Sequence, residues 1–199
     1  AVGVRPAVDV AAKRLTAQGP AFSTDELKDA LRAFADHVDR TEGQGGALTV
    51  TAYRAFAALE NANPGRKRMP GTMTIVGRFG SWRAALQAVG MLHRSPVALR
   101  TPSENVEWRL DELPSDPSEE CVAAERIRWL LGHLDPEEAR SLTGKRYDRL
   151  RLDAEGQAAR NQILLELPGS KALTRDYGSW GDALRAFGIN PKRAARRRR

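Results

Sequence analysis

The chain has one cysteine, three histidines, few aromatic rings and no long apolar run, and each shortage removes a class of protein. A lone thiol, Cys121, cannot close an internal disulfide, so a disulfide-stapled scaffold is ruled out. His37, His93 and His133 stand at least 40 residues apart with no second His or Cys nearby. No familiar metal-ligand spacing exists, and neither a metal nor any other cofactor is expected. The apolar stretches fall far short of the roughly 20 residues that cross a bilayer, and no charged-then-apolar leader opens the sequence. The expectation is a cytoplasmic protein without membrane contact. Aromatics make up 6% of the residues, and the apolar 41% is mostly Ala, Leu and Val. That balance disfavours sheet and points to an all-α fold.

Acid is scarce in particular places. The 199 residues carry 32 Lys and Arg against 25 Asp and Glu, a net charge of +7. Residues 191–199 hold six of those bases and no acid, so the remainder is close to neutral. Within it, 43–100 hold eight bases and one acid, 104–138 three bases and eleven acids, and 139–190 nine bases and six acids. Two basic stretches, an acidic middle and a polybasic end point to polyanion contact in defined places.

What the sequence does contain is a repeat. PGTMTIVGRFGSWRAALQAVGM from Pro70 is matched at an offset of 98 by PGSKALTRDYGSWGDALRAFGI from Pro168. Gly80, Ser81, Trp82, Ala85, Leu86 and Gly90 recur as Gly178, Ser179, Trp180, Ala183, Leu184 and Gly188. Upstream, Leu48, Thr49 and Tyr53 recur as Leu142, Thr143 and Tyr147 at an offset of 94, so the second copy has four extra residues, expected in the intervening loop. In each copy Thr72 or Ser170 is expected to cap a short helix that ends at Gly80 or Gly178. Ser81 or Ser179 should cap the next, with Gly90 or Gly188 at its C′ position. Ile75, Phe79, Trp82 and Leu86 follow helical spacing, as do Leu173, Tyr177, Trp180 and Leu184, and both sets read as core. Tyr53 and Tyr147 read as packing residues and His37 as exposed. Cys121 lies near a helix start, as an inert small side chain.

Amphipathic helices begin at Thr49 and Thr143, preceded by longer ones over about 24–40 and 119–134. The expected organisation is an N-terminal extension 1–22 with a short helix near 8–17, a first four-helix module 23–92, a linker 93–118 rich in Pro and acid, a second module 119–190, and a basic tail 191–199.

The pattern Leu-Thr-x-x-x-Tyr, a Pro, a short helix and Phe/Tyr-Gly-Ser-Trp-x-x-Ala-Leu-x-Ala-x-Gly resembles the homing-endonuclease-associated repeat. This small helical module occurs beside HNH nuclease domains and in stand-alone actinobacterial and phage proteins. The resemblance spans about 24–92 and 119–190 and implies double-stranded DNA binding by a helix-turn-helix-like unit. No His-Asn-His constellation can be assembled, so the resemblance supports binding without cutting.

If Ile75 and Phe79 face inward, Met73, Thr74, Gly77 and Arg78 face outward, as do Lys171, Ala172, Arg175 and Asp176. Thr74, Arg78, Lys171 and Arg175 are the expected base contacts, the arginines because a guanidinium can bond a guanine edge through two N–H groups. Arg66, Lys67 and Arg68 read as a phosphate clamp, with Lys145, Arg146, Arg149 and Arg151 as its replacement in the second copy. Lys192, Arg193, Arg196 and Arg197 in the tail should follow the backbone. The sequence thus reads as a nucleoid-associated regulator or DNA-organising factor, not an enzyme, with the transcription machinery or a nuclease as further partners. Two rivals stay open: an accessory chain of a nuclease or recombinase, and an adaptor acting through the acidic middle.

Overall fold

The computed structural model describes residues 22–104, 106–114 and 119–192. The helix expected near 8–17 and the tail residues Arg193, Arg196 and Arg197 lie outside the described residues. Among those described the fold is all-α: nine α-helices, two single turns of 3₁₀ helix and no strand.

Local signals account for most of the helices. In α1 (Thr24–Glu42) the Ser23 hydroxyl accepts from the Glu26 N–H at 3.2 Å while the Ser23 N–H donates to the Glu26 carboxylate at 2.8 Å, a reciprocal cap. Thr49 caps α2 (Val50–Asn61). Next come the short α3 (Thr72–Phe79) and α4 (Trp82–Ala88), the latter capped by Ser81, whose hydroxyl accepts from the Ala84 N–H. After α4, Gly90 takes a left-handed φ of 72°, and the Met91 N–H reaches back to the Leu86 carbonyl at 2.8 Å. This is the glycine stop read from the sequence.

Helices α1 to α4 close around one apolar cluster, including Leu27, Leu31, Phe34, Tyr53, Ile75 and Leu86. Phe34 meets Tyr53 edge-on at 5.3 Å, the arrangement that ring quadrupoles favour.

The second cluster belongs to α5 (Glu119–Gly132), α6 (Pro136–Arg140), α7 (Gly144–Arg160), α8 (Ser170–Tyr177) and α9 (Trp180–Ala186). The short α6 is additional to the expected set. Asp135 caps it by accepting from the Glu137 and Glu138 N–H groups, and Pro136 stands where a missing N–H costs nothing. The four extra residues lengthen the helix rather than the loop, since α7 has 17 residues where α2 has 12.

Residues 93–118, expected as a linker, are packed where they are described. Arg94 is buried and donates to both Asp39 oxygens, at 3.1 and 2.8 Å, and to the Gly46 carbonyl. One oxygen of buried Asp153 accepts from the Ser103 N–H, the Ser103 hydroxyl and the Glu104 N–H, tying the chain to α7. Trp108 enters the second cluster and meets Trp129 at 5.7 Å. Proline content marks the turns of this segment, but its apolar side chains decide where it goes.

The two clusters are joined. Arg83 on α4 donates to Glu155 on α7 at 2.9 Å and pairs with Glu166 at 3.3 Å; the Ser81 hydroxyl also donates to Glu166. Gln162, left-handed at φ 60°, accepts from the Leu92 N–H through its side-chain oxygen and donates to the Gly90 carbonyl. A small third cluster of Leu92, Ala98 and Ala159 fills the seam.

Gly156 sits mid-helix in α7, where a Cβ would lie 2.7 Å from the Val97 carbonyl oxygen. Helix propensity favours Ala over Gly by about 1 kcal/mol. Gly156→Ala is nevertheless expected to destabilise by about 1–3 kcal/mol, because two backbone segments must part. Urea unfolding checks this, and a stabilised variant would show that the seam can open without cost.

Candidate nucleic-acid interface

The segments that flank α3 and α8 are held by the same two hydrogen bonds. The Tyr53 hydroxyl donates to the Pro70 carbonyl at 2.9 Å, and Tyr147 to Pro168 at 3.0 Å. The Trp82 indole N–H donates to the Leu48 carbonyl at 2.9 Å, and Trp180 to Leu142 at 2.7 Å. The rings also meet alike, with Tyr53 and Trp82 centroids 5.4 Å apart at 54° and Tyr147 and Trp180 5.2 Å apart at 52°. Burial pushes both phenols above their ordinary pKa. Gly80 and Gly178, at φ 85° and 86°, make the sharp corner from each short helix to the next.

Ile75, Leu86, Leu173 and Leu184 are buried, and Phe79, Trp82 and Trp180 are half-buried against their clusters. Tyr177 departs from the expectation of a core residue: it is 42% exposed and leans on Phe187 alone among the rings. Its hydroxyl needs water or a partner that Phe79, its counterpart, does not need.

The caps of α3 and α8 also differ from the expectation. Thr72 and Ser170 are the first helical residues, and Gly71 and Gly169 occupy the N-cap position without a side chain to offer. The Thr72 hydroxyl accepts from Arg54, while the Ser170 N–H and hydroxyl both donate to Asp148, at 2.8 and 2.6 Å. Arg54 and Asp148 occupy corresponding positions on α2 and α7, so opposite charges stand at the starts of the two short helices.

Thr74, Arg78, Lys171 and Arg175 are all exposed. Arg78 donates to the Thr24 hydroxyl at 3.3 Å, and Arg175 to its neighbour Asp176 at 2.9 Å. Met73, on the surface of α3, is 76% exposed.

The expected phosphate contacts divide. Arg68 and Lys145 are exposed. Arg66 donates to Glu60, Lys67 pairs with Glu26 at 2.9 Å, and Lys192 pairs with Glu137 at 2.7 Å, all with exposed bases. Such pairs are screened by solvent and open readily for a phosphate. Arg146 is tied to Glu138 at 2.8 Å and Glu104 at 3.5 Å, Arg149 to Glu104, and Arg151 to buried Glu155. Arg146 and Arg149 tie Glu104 and Glu138 of the acidic segment to α7, whereas Arg151 pairs within α7 itself. The Arg146–Glu104 pairing was out of reach of the sequence reading because the two residues stand 42 positions apart.

The Glu26 carboxyl is held down to about 2 from 4.5, first by the hydrogen bond from Lys67 and then by the Ser23 donors. A depressed carboxylate contributes stability above its unfolded pKa and loses it as pH falls through the folded one. The α1 cap should therefore weaken between about pH 4.5 and pH 2. Lys67→Ala is expected to raise the Glu26 midpoint without restoring it fully, since Ser23 remains. An NMR titration reads this directly, and an unmoved midpoint would mean that Lys67 does not sit on Glu26 in solution.

Among the described residues no group of three or more His, Cys, Asp or Glu could hold a metal ion, and no helix is long and apolar enough to cross a membrane. Set against family models, curated proteins and solved structures, the chain matches none of them.

Proposed function

We propose that the chain is a sequence-specific double-stranded DNA-binding protein acting without catalysis, built from two copies of one helical unit that offer α3 and α8 to the major groove. The observation that carries this reading is the contrast between the two faces of these helices. Inward, Ile75 and Leu173 are buried alike, and each short helix is flanked by the same Tyr–Pro and Trp–Leu hydrogen bonds; outward, Thr74, Gly77 and Arg78 stand where the second copy has Ala172, Arg175 and Asp176. A common scaffold with different outward residues suits two units that read different bases. The resemblance to the homing-endonuclease-associated repeat supports the same reading, as does the basic charge of 43–100 and of the tail. A nucleoid location, with a role in transcription or DNA organisation, follows from it.

The adaptor reading is less well supported, because acidic-segment carboxylates are engaged within the chain: Glu104 by Arg146 and Arg149, and Glu138 by Arg146.

Arg78→Ala and Arg175→Ala test the proposal. Each is expected to relax base preference in a different half of the selected site by about 1–3 kcal/mol. Competition binding with singly substituted duplexes measures it. Equal weakening on every sequence would make these arginines phosphate contacts.

A further inference from the structure

A groove of about 830 Å³ runs between the start of α7, the first turn of α8 and one side of α9. Its volume lies in the range of small-molecule sites. Leu142, Trp180, Leu184 and Pro191 give it an apolar floor. Arg140, Lys171, Arg185 and Lys192 line its rim, and among the described residues no carboxylate does. We propose that this groove is a binding site for a small organic anion with an aromatic body, the ring lying on the floor and the charge meeting the rim. The inference needs only the groove; Lys171 and Lys192 are shared with the proposed DNA surface, and the probe measurement is made without DNA.

The first half of the chain is an internal comparison. Matched by sequence, Gly144 and Gly181 stand where the first half has Val50 and Arg83, so bulk is missing at two lining positions. Arg140, Lys171 and Arg185 stand where it has Gly46, Met73 and Gln87, so charge is added at three others. Space and charge have changed together around one groove. Gly144 is partly explained by packing, since a Cβ there would come within 3.1 Å of the Ser170 Cβ. Gly181 has no such reason: a Cβ would meet nothing closer than 3.8 Å. Its absent side chain leaves the wall beside Trp180 open.

The rim's cations are available. Arg140 pairs with Glu137, Arg185 with Asp182 and Lys192 with Glu137, all across exposed surface. Such pairs cost little to exchange for another anion. Lys171 has no ion pair among the described residues. An inorganic anion would leave the floor wetted. A ring bearing a carboxylate, sulfonate or phosphate satisfies both surfaces.

The test uses the full chain and the fluorescent probe anilinonaphthalene sulfonate, with phenylnaphthylamine, the same rings without the sulfonate, as neutral control. Saturable binding of the anionic probe is expected, with the neutral probe at least about tenfold weaker. Gly181→Leu, which fills the groove without changing charge, should weaken the anionic probe at least about tenfold, and Lys171→Met about threefold, with both variants keeping the parent unfolding curve. Unsaturable binding, equal affinity for the two probes, or unchanged affinity in both variants would overturn the site. Should Gly181→Leu unfold, the surface variant Lys171→Met and the probe pair still decide.

Discussion

Trp82→Ala is expected to destabilise the protein by about 3–5 kcal/mol, the range for large aromatic truncations in a core. The indole is held on both sides: its ring packs on buried Tyr53, and its N–H donates to the carbonyl of fully buried Leu48. Alanine removes the ring and strands that carbonyl, and each loss adds to the other. Trp82→Phe should cost less, about 1–2 kcal/mol, because one aromatic ring still packs on Tyr53 while the N–H and the second ring of the indole are lost. Chemical denaturation measures both. A Trp82→Ala protein that unfolds like its parent while losing DNA affinity would instead make this tryptophan a DNA contact.

Deleting residues 192–199 removes six bases. Each phosphate neutralised on duplex DNA contributes about 0.9 to the salt slope of log K, so the deletion should flatten that slope by at most about five. Between about 50 and 200 mM salt this corresponds to as much as about a thousandfold difference in how steeply affinity falls. Base preference should stay as it was, because a backbone contact positions the protein without reading sequence. Anisotropy titrations over a salt series give the slope. An unchanged slope would mean that these bases never reach a phosphate.

What could be read from sequence was what neighbouring residues decide. The Thr49, Ser81, Thr143 and Ser179 caps, the Gly90 and Gly188 stops and the buried Ile75, Leu86, Leu173 and Leu184 follow from rules a few residues wide. The sequence around α6 also carried its signal, Asp135 before Pro136 and two glutamates, in a stretch too short to show periodicity. Long-range pairing was out of reach. Nothing near Arg83 announces that its partner is Glu155, 72 positions away. Nothing in the Pro-rich composition of 93–118 reveals that Arg94 is buried against Asp39, or that Trp108 belongs to the second cluster. The basic residues show the same limit: Arg66, Lys67 and Arg146 looked free because their carboxylate partners are brought to them only by the fold.

Those long-range contacts sharpen the proposed function. Arg83, Ser81 and Gln162 are bonded across the seam and Gly156 lies against Val97. On the proposed reading, this seam would hold α3 and α8 in one mutual position, and a single chain would recognise two unlike half-sites at one spacing. Selection of bound duplexes from a random pool tests this most directly. The account predicts one asymmetric bipartite site, with a constant number of base pairs between its halves. A palindrome, halves recovered at many spacings, or no enrichment over the starting pool would contradict it.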